Sequence, residues 1–197
     1  MAGPDASLLR RALAAKGRAS SDYDLNPDDP GRASAALRPA AVLIAVGPLG
    51  DVVLTKRSSR LHHHPGQIAL PGGRLDPGDA GPEAAALREA GEEIGLDPGL
   101  VEVLGTMPAH ETVTGFSVVP VLAMLRDGFV PIAEAGEVDE VFTVPLAHLA
   151  DPANYRIEGR VWRGSFRRYY VVPYGPYYIW GATARILRGV GGSDGMT

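Results

Sequence analysis

Short apolar runs, separated by turn-forming residues, predict strands around one central helix. Ala40–Val46 and Val52–Arg57 flank the turn Gly47–Asp51, a pattern typical of two hairpin strands. Pro82–Gly95 has Pro near its start, Ala and Leu in its middle and Gly at its end, which indicates a helix. The remaining predicted elements are a short strand at Gln67–Leu70, strands at Val101–Leu104, Phe116–Leu122 and Glu140–Val144, a helical turn at Pro145–Leu149, a hairpin over Tyr155–Val172 and a closing helix at Ile179–Leu187.

The order of these elements indicates an α/β (α+β) fold. Strands before and after the central helix, joined by hairpin-length connections, favour a mixed sheet between helices over an alternating parallel fold. We expect one domain over residues 37–190. Residues 1–36 are predicted to form a helix, beginning at Asp5 or Ser7, and a linker or wrapped arm rich in Ser, Asp and Pro. The Gly-rich residues 191–197 are predicted to be a flexible tail.

Composition excludes several classes of site. The 197 residues contain no cysteine, which excludes a disulfide scaffold, an all-thiolate zinc site and a thiol nucleophile. The formal net charge of −4 argues against a nucleic-acid partner, which requires a broad positive field. No apolar run approaches the roughly 18 residues of a membrane span, and the N-terminus lacks the apolar core of a secretory signal. We therefore expect a cytoplasmic protein without a membrane partner.

Three carboxylates share one face of the predicted central helix. At about 100° per residue, Glu89, Glu92 and Glu93 cluster together while Ala90 and Ile94 lie on the opposite side. Such a face is either an ordinary solvated acidic surface, with one ion pair to Arg88, or a binding site for a hard divalent cation.

The sequence around these carboxylates resembles the Nudix hydrolase signature. Gly72-Gly73 precedes the pattern R-E-x-x-E-E-x-G, which begins at Arg88. Two departures are Asp79, which stands where the family usually has Glu, and one additional residue between Asp79 and Arg88. The resemblance implies a Nudix-type α/β/α sandwich with a mixed β-sheet. It also implies that Glu89, Glu92 and Glu93 are catalytic ligands of Mg²⁺ or Mn²⁺.

Opposite charges are segregated along this stretch. Residues 54–74 contain four basic side chains and no acid, whereas residues 76–97 contain seven acids and a single Arg88. A metal-dependent phosphoanhydride hydrolase requires this arrangement, because cations hold the phosphates while metal ions activate water. The alternative is that the basic residues merely solvate a strand end. The predicted substrate-binding residues are Arg57, Arg60, His62, Gly73 and Arg74.

Residues 54–73 further resemble the extra motif of the coenzyme A pyrophosphatase branch of the Nudix family. His62 replaces the usual Arg and Leu70 the usual Phe, and Thr112–Phe116 resembles a second element of that branch. The consecutive histidines 62–64 are interpreted as loop and substrate contacts rather than a transition-metal site. Glu137, chosen over Glu140, resembles the acid of a later Nudix loop that serves as a metal ligand or general base.

These resemblances imply hydrolysis of coenzyme A or acyl-coenzyme A to 3′,5′-ADP and (acyl-)4′-phosphopantetheine. One alternative is a Nudix pyrophosphatase for ADP-ribose or another nucleoside diphosphate derivative, and another is a non-catalytic Nudix binding module. Residues 155–188 combine seven arginines and one acid with six tyrosines and two tryptophans. This mixture suits either adenine and 3′-phosphate binding or strands and a homodimer interface.

Overall fold

The computed structural model describes residues 4–14, 18–29, 36–162 and 164–192. Its helices are α1 (Pro4–Ala14), α2 (Pro82–Ile94), α3 (Leu146–Ala150) and α4 (Gly181–Val190), with 3₁₀ turns at Pro98–Leu100 and Pro152–Asn154. The strands within these residues are β1 (Ser20–Ser21), β2 (Arg38–Val46), β3 (Asp51–Arg57), β4 (Ile68–Ala69), β5 (Gly72–Arg74), β6 (Val101–Thr106), β7 (His110–Glu111), β8 (Phe116–Leu125), β9 (Val138–Pro145), β10 (Arg156–Trp162), β11 (Ser165–Tyr174) and β12 (Tyr177–Trp180).

A nine-stranded mixed sheet forms the centre of the described chain. The strand β2 pairs in parallel with β8 along its whole length, from Arg38 opposite Phe116 to Val46 opposite Met124. The other pairings of β2 and β3 are antiparallel. This mixture confirms the predicted α+β class.

Helices cover both faces of the sheet because successive side chains of β2 point to opposite faces. Leu43 packs with α2 residues such as Ala90 and Ile94. Ile44, the next residue, belongs to the core on the other face, which α1, α3 and α4 cover. Leu9 of α1 is fully buried in that second core, so one side of α1 contributes to it.

The site lies where β2 and β3 separate. The predicted hairpin is present only at its base, because Val46 opposite Val52 is the one pair that joins the two strands. Beyond it, β3 pairs with β4 and β9, whereas β2 pairs with β5 and β8. The segment carrying β4 and β5 thus lies between the diverging strands, and a cleft opens there.

Helix α2 begins and ends as the sequence predicts. Its first residue is Pro82, and Gly95 follows its last turn with a left-handed backbone at φ 68°. The Gly95 N–H donates to the Gly91 carbonyl at 3.0 Å and the Leu96 N–H donates to the Ala90 carbonyl at 3.3 Å, which satisfies two of the terminal acceptors of the helix.

Residues 18–29 lie against the domain. Strand β1 pairs with β7, and Asp22 accepts hydrogen bonds from the Val113 N–H (2.9 Å) and from the Nε2 side of His110 (3.2 Å). His110 is fully buried. The predicted linker also contains residues 30–35, and the predicted tail contains residues 193–197, which lie outside the described residues. The domain boundary at residue 37 stays a prediction.

A smaller three-stranded antiparallel sheet, β10–β11–β12, completes the structure. Its first two strands form the predicted hairpin. The predicted closing helix, however, begins at Gly181 rather than Ile179, because Ile179 and Trp180 belong to β12 and Gly181 has a φ of 63°. No helix in the described portion of the chain has both the length and the apolar character needed to cross a membrane.

Candidate active site

Glu93 is the most buried of the helix carboxylates, with 4% of its side chain exposed. Its Oε2 accepts a hydrogen bond from the Gly72 N–H at 3.0 Å, and its Oε1 lies 3.8 Å from an Arg57 terminal nitrogen. Burial raises the pKa of Glu93 to about 7, although the hydrogen bond and Arg57 oppose that rise. The site therefore holds an acid whose negative charge is incompletely compensated.

Glu89 lies one helical turn before Glu93, against the backbone of Gly73. A Cβ atom on Gly73 would lie 2.4 Å from the Glu89 carboxylate, so only glycine permits this approach. Burial is the main cause that raises the pKa of Glu89, while Arg88 lowers it and the charges of Glu92 and Glu137 raise it further. Glycine at position 73 thus brings the acid close to β5.

Glu92 points in a different direction from the other two helix acids. Its side chain is 62% exposed, and its carboxylate accepts a hydrogen bond from Arg88 at 3.1 Å. The three predicted metal ligands consequently do not converge on one point. Glu89 and Glu93 face the glycine loop, and Glu92 lies at its edge.

Arg88 joins the helix to the preceding loop. Its guanidinium forms a two-pronged contact with Asp79, at 3.1 Å and 3.0 Å, and donates to the Arg74 carbonyl at 3.1 Å. This contact holds the pKa of the Asp79 carboxyl below its usual value. Asp79, the departure from the Nudix pattern, is therefore a structural partner of Arg88, and its role was not predictable from the spacing of the motif.

Of the two later acids, Glu137 is electrostatically connected to the site. Its charge raises the pKa of both Glu89 and Glu93. Glu140 instead accepts a hydrogen bond from the Tyr177 hydroxyl. This difference agrees with the choice of Glu137 from the sequence, while its catalytic role stays a prediction.

A cleft of about 600 Å³ adjoins the carboxylates. Its lining includes the predicted substrate ligands Arg57, His62, Gly73 and Arg74, together with Gly72. Residues of both separating strands, β2 and β3, contribute to it. The Nε atom of Arg57 is buried without a hydrogen-bond partner among the described residues. Such a donor is suited to an incoming anion, because a buried unpaired N–H is costly.

Arg60, the remaining predicted substrate ligand, does not line this cleft. It is exposed and donates a hydrogen bond to the Ala135 carbonyl, in the loop that precedes Glu137. Arg60 lies beside that loop and not beside the glycines because the chain turns after β3.

The far end of the cleft combines rings and cations. Trp180 of β12 lines it, with the Arg160 guanidinium 4.2 Å from the centre of the Trp180 ring. Arg167 and Arg185, which also line the cleft, form ion pairs with Asp29 and Asp24 of the N-terminal arm. The sequence left residues 155–188 open between ligand binding and a structural role and named none of these residues for the site, because only the tertiary fold brings β12 and residues 18–29 to the glycine loop.

The donor chemistry fits a divalent cation. In the described parts of the chain, no three His, Asp or Glu side chains already surround a common metal position. Glu89 and Glu93 nevertheless both offer oxygen ligands, and burial raises the pKa of each. The charge of Glu89 raises the pKa of Glu93 further, and a bound cation would relieve this destabilisation. Glu137 and the more exposed Glu92 are the further oxygen donors nearby.

Comparisons with known proteins agree with this geometry. A family model described as NUDIX domain matches residues 36–162. The chain is similar to the "Uncharacterized Nudix hydrolase NudL" of Salmonella paratyphi B and to that of Salmonella newport, each 42% identical over 153 residues, which are 77% of this chain and 80% of the relative. The crystal structure of a Nudix hydrolase from M. smegmatis, RenU, covers 59% of this chain and 76% of its own at 28% identity, with a TM-score of 0.48.

The matched segment contains the separating strands, the glycine loop and the whole of α2. The matched residues 36–162 and the 42% identity to the Salmonella proteins extend the relationship well beyond the short motif. The chain belongs to the Nudix family of hydrolases.

Proposed function

We propose that this Nudix hydrolase cleaves the pyrophosphate of coenzyme A or acyl-coenzyme A with water, giving 3′,5′-ADP and (acyl-)4′-phosphopantetheine. One observation carries the proposal. Residues from 54–73 and from Thr112–Phe116, the two segments that resemble the coenzyme A branch, line the same cleft although they are distant in sequence. The cleft also reaches the glycines against which Glu89 and Glu93 lie.

The pyrophosphate binds at the glycine end in this proposal. Arg57 offers an unpaired Nε donor there, and Arg74 has no carboxylate partner among the described residues. A planar guanidinium can donate hydrogen bonds to two oxygens of one phosphate, so these residues hold the pyrophosphate beside the carboxylates. Arg88 is occupied by Asp79 and serves to position the helix.

Nudix hydrolases generally use divalent metal ions, and the acids here are the proposed ligands. Glu89 and Glu93, with Glu92, would hold Mg²⁺ or Mn²⁺, which supplies a water of lowered pKa and polarises the phosphoryl oxygens. Glu137 is the proposed general base or further ligand, since its charge is felt by both buried acids.

The adenosine end lies beside Trp180. An indole ring can stack on adenine, and Arg160, which contacts Trp180 and has no carboxylate partner in the described residues, can bind the 3′-phosphate. The 3′-phosphate is the group that distinguishes coenzyme A from dephospho-coenzyme A and from ADP-ribose. A volume of about 600 Å³ lies within the usual 300–1,000 Å³ of ligand sites.

The direct test is a product assay. The purified protein is incubated with Mg²⁺ and an equimolar mixture of coenzyme A, acetyl-coenzyme A, NADH and ADP-ribose, and the products are identified by mass spectrometry. We expect 3′,5′-ADP to form first, and Glu93→Gln to abolish its formation. Cleavage of ADP-ribose or NADH without formation of 3′,5′-ADP would instead support a Nudix pyrophosphatase for other nucleoside diphosphate derivatives. If no substrate were cleaved, the result would support a non-catalytic binding module.

A further inference from the structure

The small sheet ends in an uncovered strand. In the order β10–β11–β12, β10 pairs with β11 on one side, and no described strand pairs with its other side. Its register with β11 runs without a bulge from Arg156 to Trp162. Natural proteins usually protect such an edge with Pro, a bulge or charged side chains. The strand β10 has neither Pro nor a bulge, and its charges are of both signs.

A hydrogen-bond pattern on β11 tells which backbone groups of β10 face outward. The Arg168 N–H donates to the Asn26 side chain (2.8 Å), and the Arg168 carbonyl accepts from it (2.9 Å), so both groups point away from β10. Gly159 lies opposite Arg168 in the register. In an antiparallel ladder, Gly159 is therefore in a non-hydrogen-bonded pair, and its own N–H and C=O point to the open edge.

By the alternation of the ladder, Ile157 and Val161 also direct their backbone groups to the open edge. Their side chains lie on one face of the sheet, where they are 52% and 70% exposed, beside Phe166 at 64%. The Phe166 ring covers Gly159, since a Cβ there would lie 2.4 Å from it. An exposed apolar stripe thus accompanies a row of backbone donors and acceptors that have no partner among the described residues.

We propose that β10 pairs antiparallel with β10 of a second copy of this chain, on a two-fold axis through Gly159. In this register Gly159 exchanges hydrogen bonds with its own copy, and Ile157 does so with Val161 of the other copy, twice by symmetry. The small sheets of two molecules become one continuous six-stranded sheet, and the two apolar stripes merge across the axis.

The charges of β10 favour a second copy of the same strand as its partner. Pairing about Gly159 sets Glu158 opposite Arg160 of the second copy, and Arg156 opposite Trp162. Cross-strand partners of opposite charge stabilise an antiparallel pair, and the close spacing of non-hydrogen-bonded pairs suits them. Two-fold symmetry forms the pair of Glu158 and Arg160 twice, in addition to the contact of Glu158 with Arg156 of its own chain at 3.2 Å. This charge complementarity indicates a copy of the same strand rather than an unrelated strand.

Arg160 and Trp162 of β10 also line the cleft. The dimer contact and the far end of the cleft are therefore adjacent. The proposal does not depend on which diphosphate is the substrate.

A charge exchange tests the pairing. Mass and concentration dependence are measured by light scattering after size exclusion for the full chain, for Glu158→Arg, for Arg160→Glu and for the double exchange. We expect a dimer for the full chain, mainly monomer for each single variant because like charges then face each other, and a dimer again for the double variant. Circular dichroism verifies that each variant is folded.

Engineered cysteines test the register, and the absence of native cysteine removes any background. Hydrogen-bonded partners have Cα atoms about 5.5 Å apart, within the range of a disulfide. The variant carrying both Ile157→Cys and Val161→Cys should form a covalent dimer on mild oxidation. Residues 157 and 161 of one chain are about 13 Å apart along the strand and cannot join each other, and each single-cysteine variant should cross-link far less.

Leu49→Lys is the matched control for Val161→Lys, because Leu49 is 93% exposed but lies in the turn before β3. Only Val161→Lys should reduce dimer formation. A full chain that remains monomeric at all concentrations overturns the proposal. So does a dimer that survives both single charge variants, or a double exchange that stays monomeric.

Discussion

At the scale of single residues, Gly73 determines where Glu89 can lie. A methyl group at this position would overlap the Glu89 carboxylate, at 2.4 Å, and displace it from the glycine loop. Misplacement by about 1 Å can cost roughly 10²-fold in rate. We therefore expect Gly73→Ala to lower kcat by about that factor on the substrate that the product assay identifies, with little change of the thermal midpoint.

The same loop offers a control. A Cβ on Gly78 would meet no atom within 4 Å, so Gly78→Ala should keep its kcat. Equal losses in the two variants would mean that the loop is sensitive to any change of backbone freedom, and that the contact between Gly73 and Glu89 has no particular role.

Glu93 makes the stability of the metal-free protein depend on pH. Its pKa is about 7 in the folded protein against an ordinary 4.5, so the folded state holds this proton more tightly than the unfolded state. The contribution of protonated Glu93 to the free energy of unfolding is fully present below about pH 4.5, and it is lost as the pH rises to about 7. One pKa unit corresponds to about 1.4 kcal/mol, so the cost above pH 7 is roughly 3 kcal/mol.

Glu93→Gln should remove this cost, because the amide stays neutral at every pH. In urea unfolding with EDTA, we expect the variant to exceed the parent protein by roughly 1–3 kcal/mol at pH 8 and to equal it near pH 4.5. Since the variant should also lose all turnover, a gain in stability would accompany the loss of activity. A stability difference that is constant from pH 4.5 to 8 would contradict the assignment.

At the scale of elements, Arg88 connects α2 to the loop that precedes it through hydrogen bonds. Arg88→Lys keeps the charge but loses the two-pronged contact with Asp79 and the bond to the Arg74 carbonyl. We expect a lower thermal midpoint and a lower kcat, because Glu89 and Glu93 move with the helix. Differential scanning calorimetry and steady-state kinetics would measure both.

Arg10→Lys provides the comparison for that substitution. Arg10 forms an exposed contact with Glu102, at 3.8 Å, and such pairs contribute little. If Arg88→Lys changes the midpoint no more than Arg10→Lys does, the guanidinium geometry at Asp79 is unimportant.

Local pattern was sufficient for the elements whose own residues determine them. The central helix has its start and stop residues, and β2 is a continuous apolar run, so both were predictable. The strand β5 was not, because glycines are poor strand formers. Its reason is tertiary: a Cβ on Gly72 would lie 2.3 Å from the Ala41 carbonyl of the neighbouring strand.

The features of the site also fall into those that the local sequence predicts and those that depend on tertiary contacts. The helical spacing of Glu89 and Glu93 and the sign change around the glycines were visible in the sequence. The outward turn of Glu92, the contact of Arg60 with Ala135 and the position of Trp180 depend on which elements meet, and no local pattern encodes that.

At the scale of the whole molecule, the net charge of −4 conceals a cationic cleft. Six arginines of the described residues line it. Of these, Arg167 and Arg185 are paired with acids of the N-terminal arm, and Arg57 lies near Glu93. Arg74 and Arg160 are at opposite ends and have no carboxylate partner in the described part of the chain. A ligand with phosphates at two separate places would match this distribution, as coenzyme A does.

Arg160→Ala examines that match. We expect kcat/KM for coenzyme A to fall by about 10-fold or more, since a charged hydrogen bond contributes about 1.5–3 kcal/mol. The value for dephospho-coenzyme A, which lacks the 3′-phosphate, should be unchanged. Arg156→Ala on the same strand, which removes an arginine paired with Glu158 outside the cleft, should alter neither substrate. Equal losses of kcat/KM for the two substrates would show that Arg160 does not recognise the 3′-phosphate and only supports the Trp180 ring.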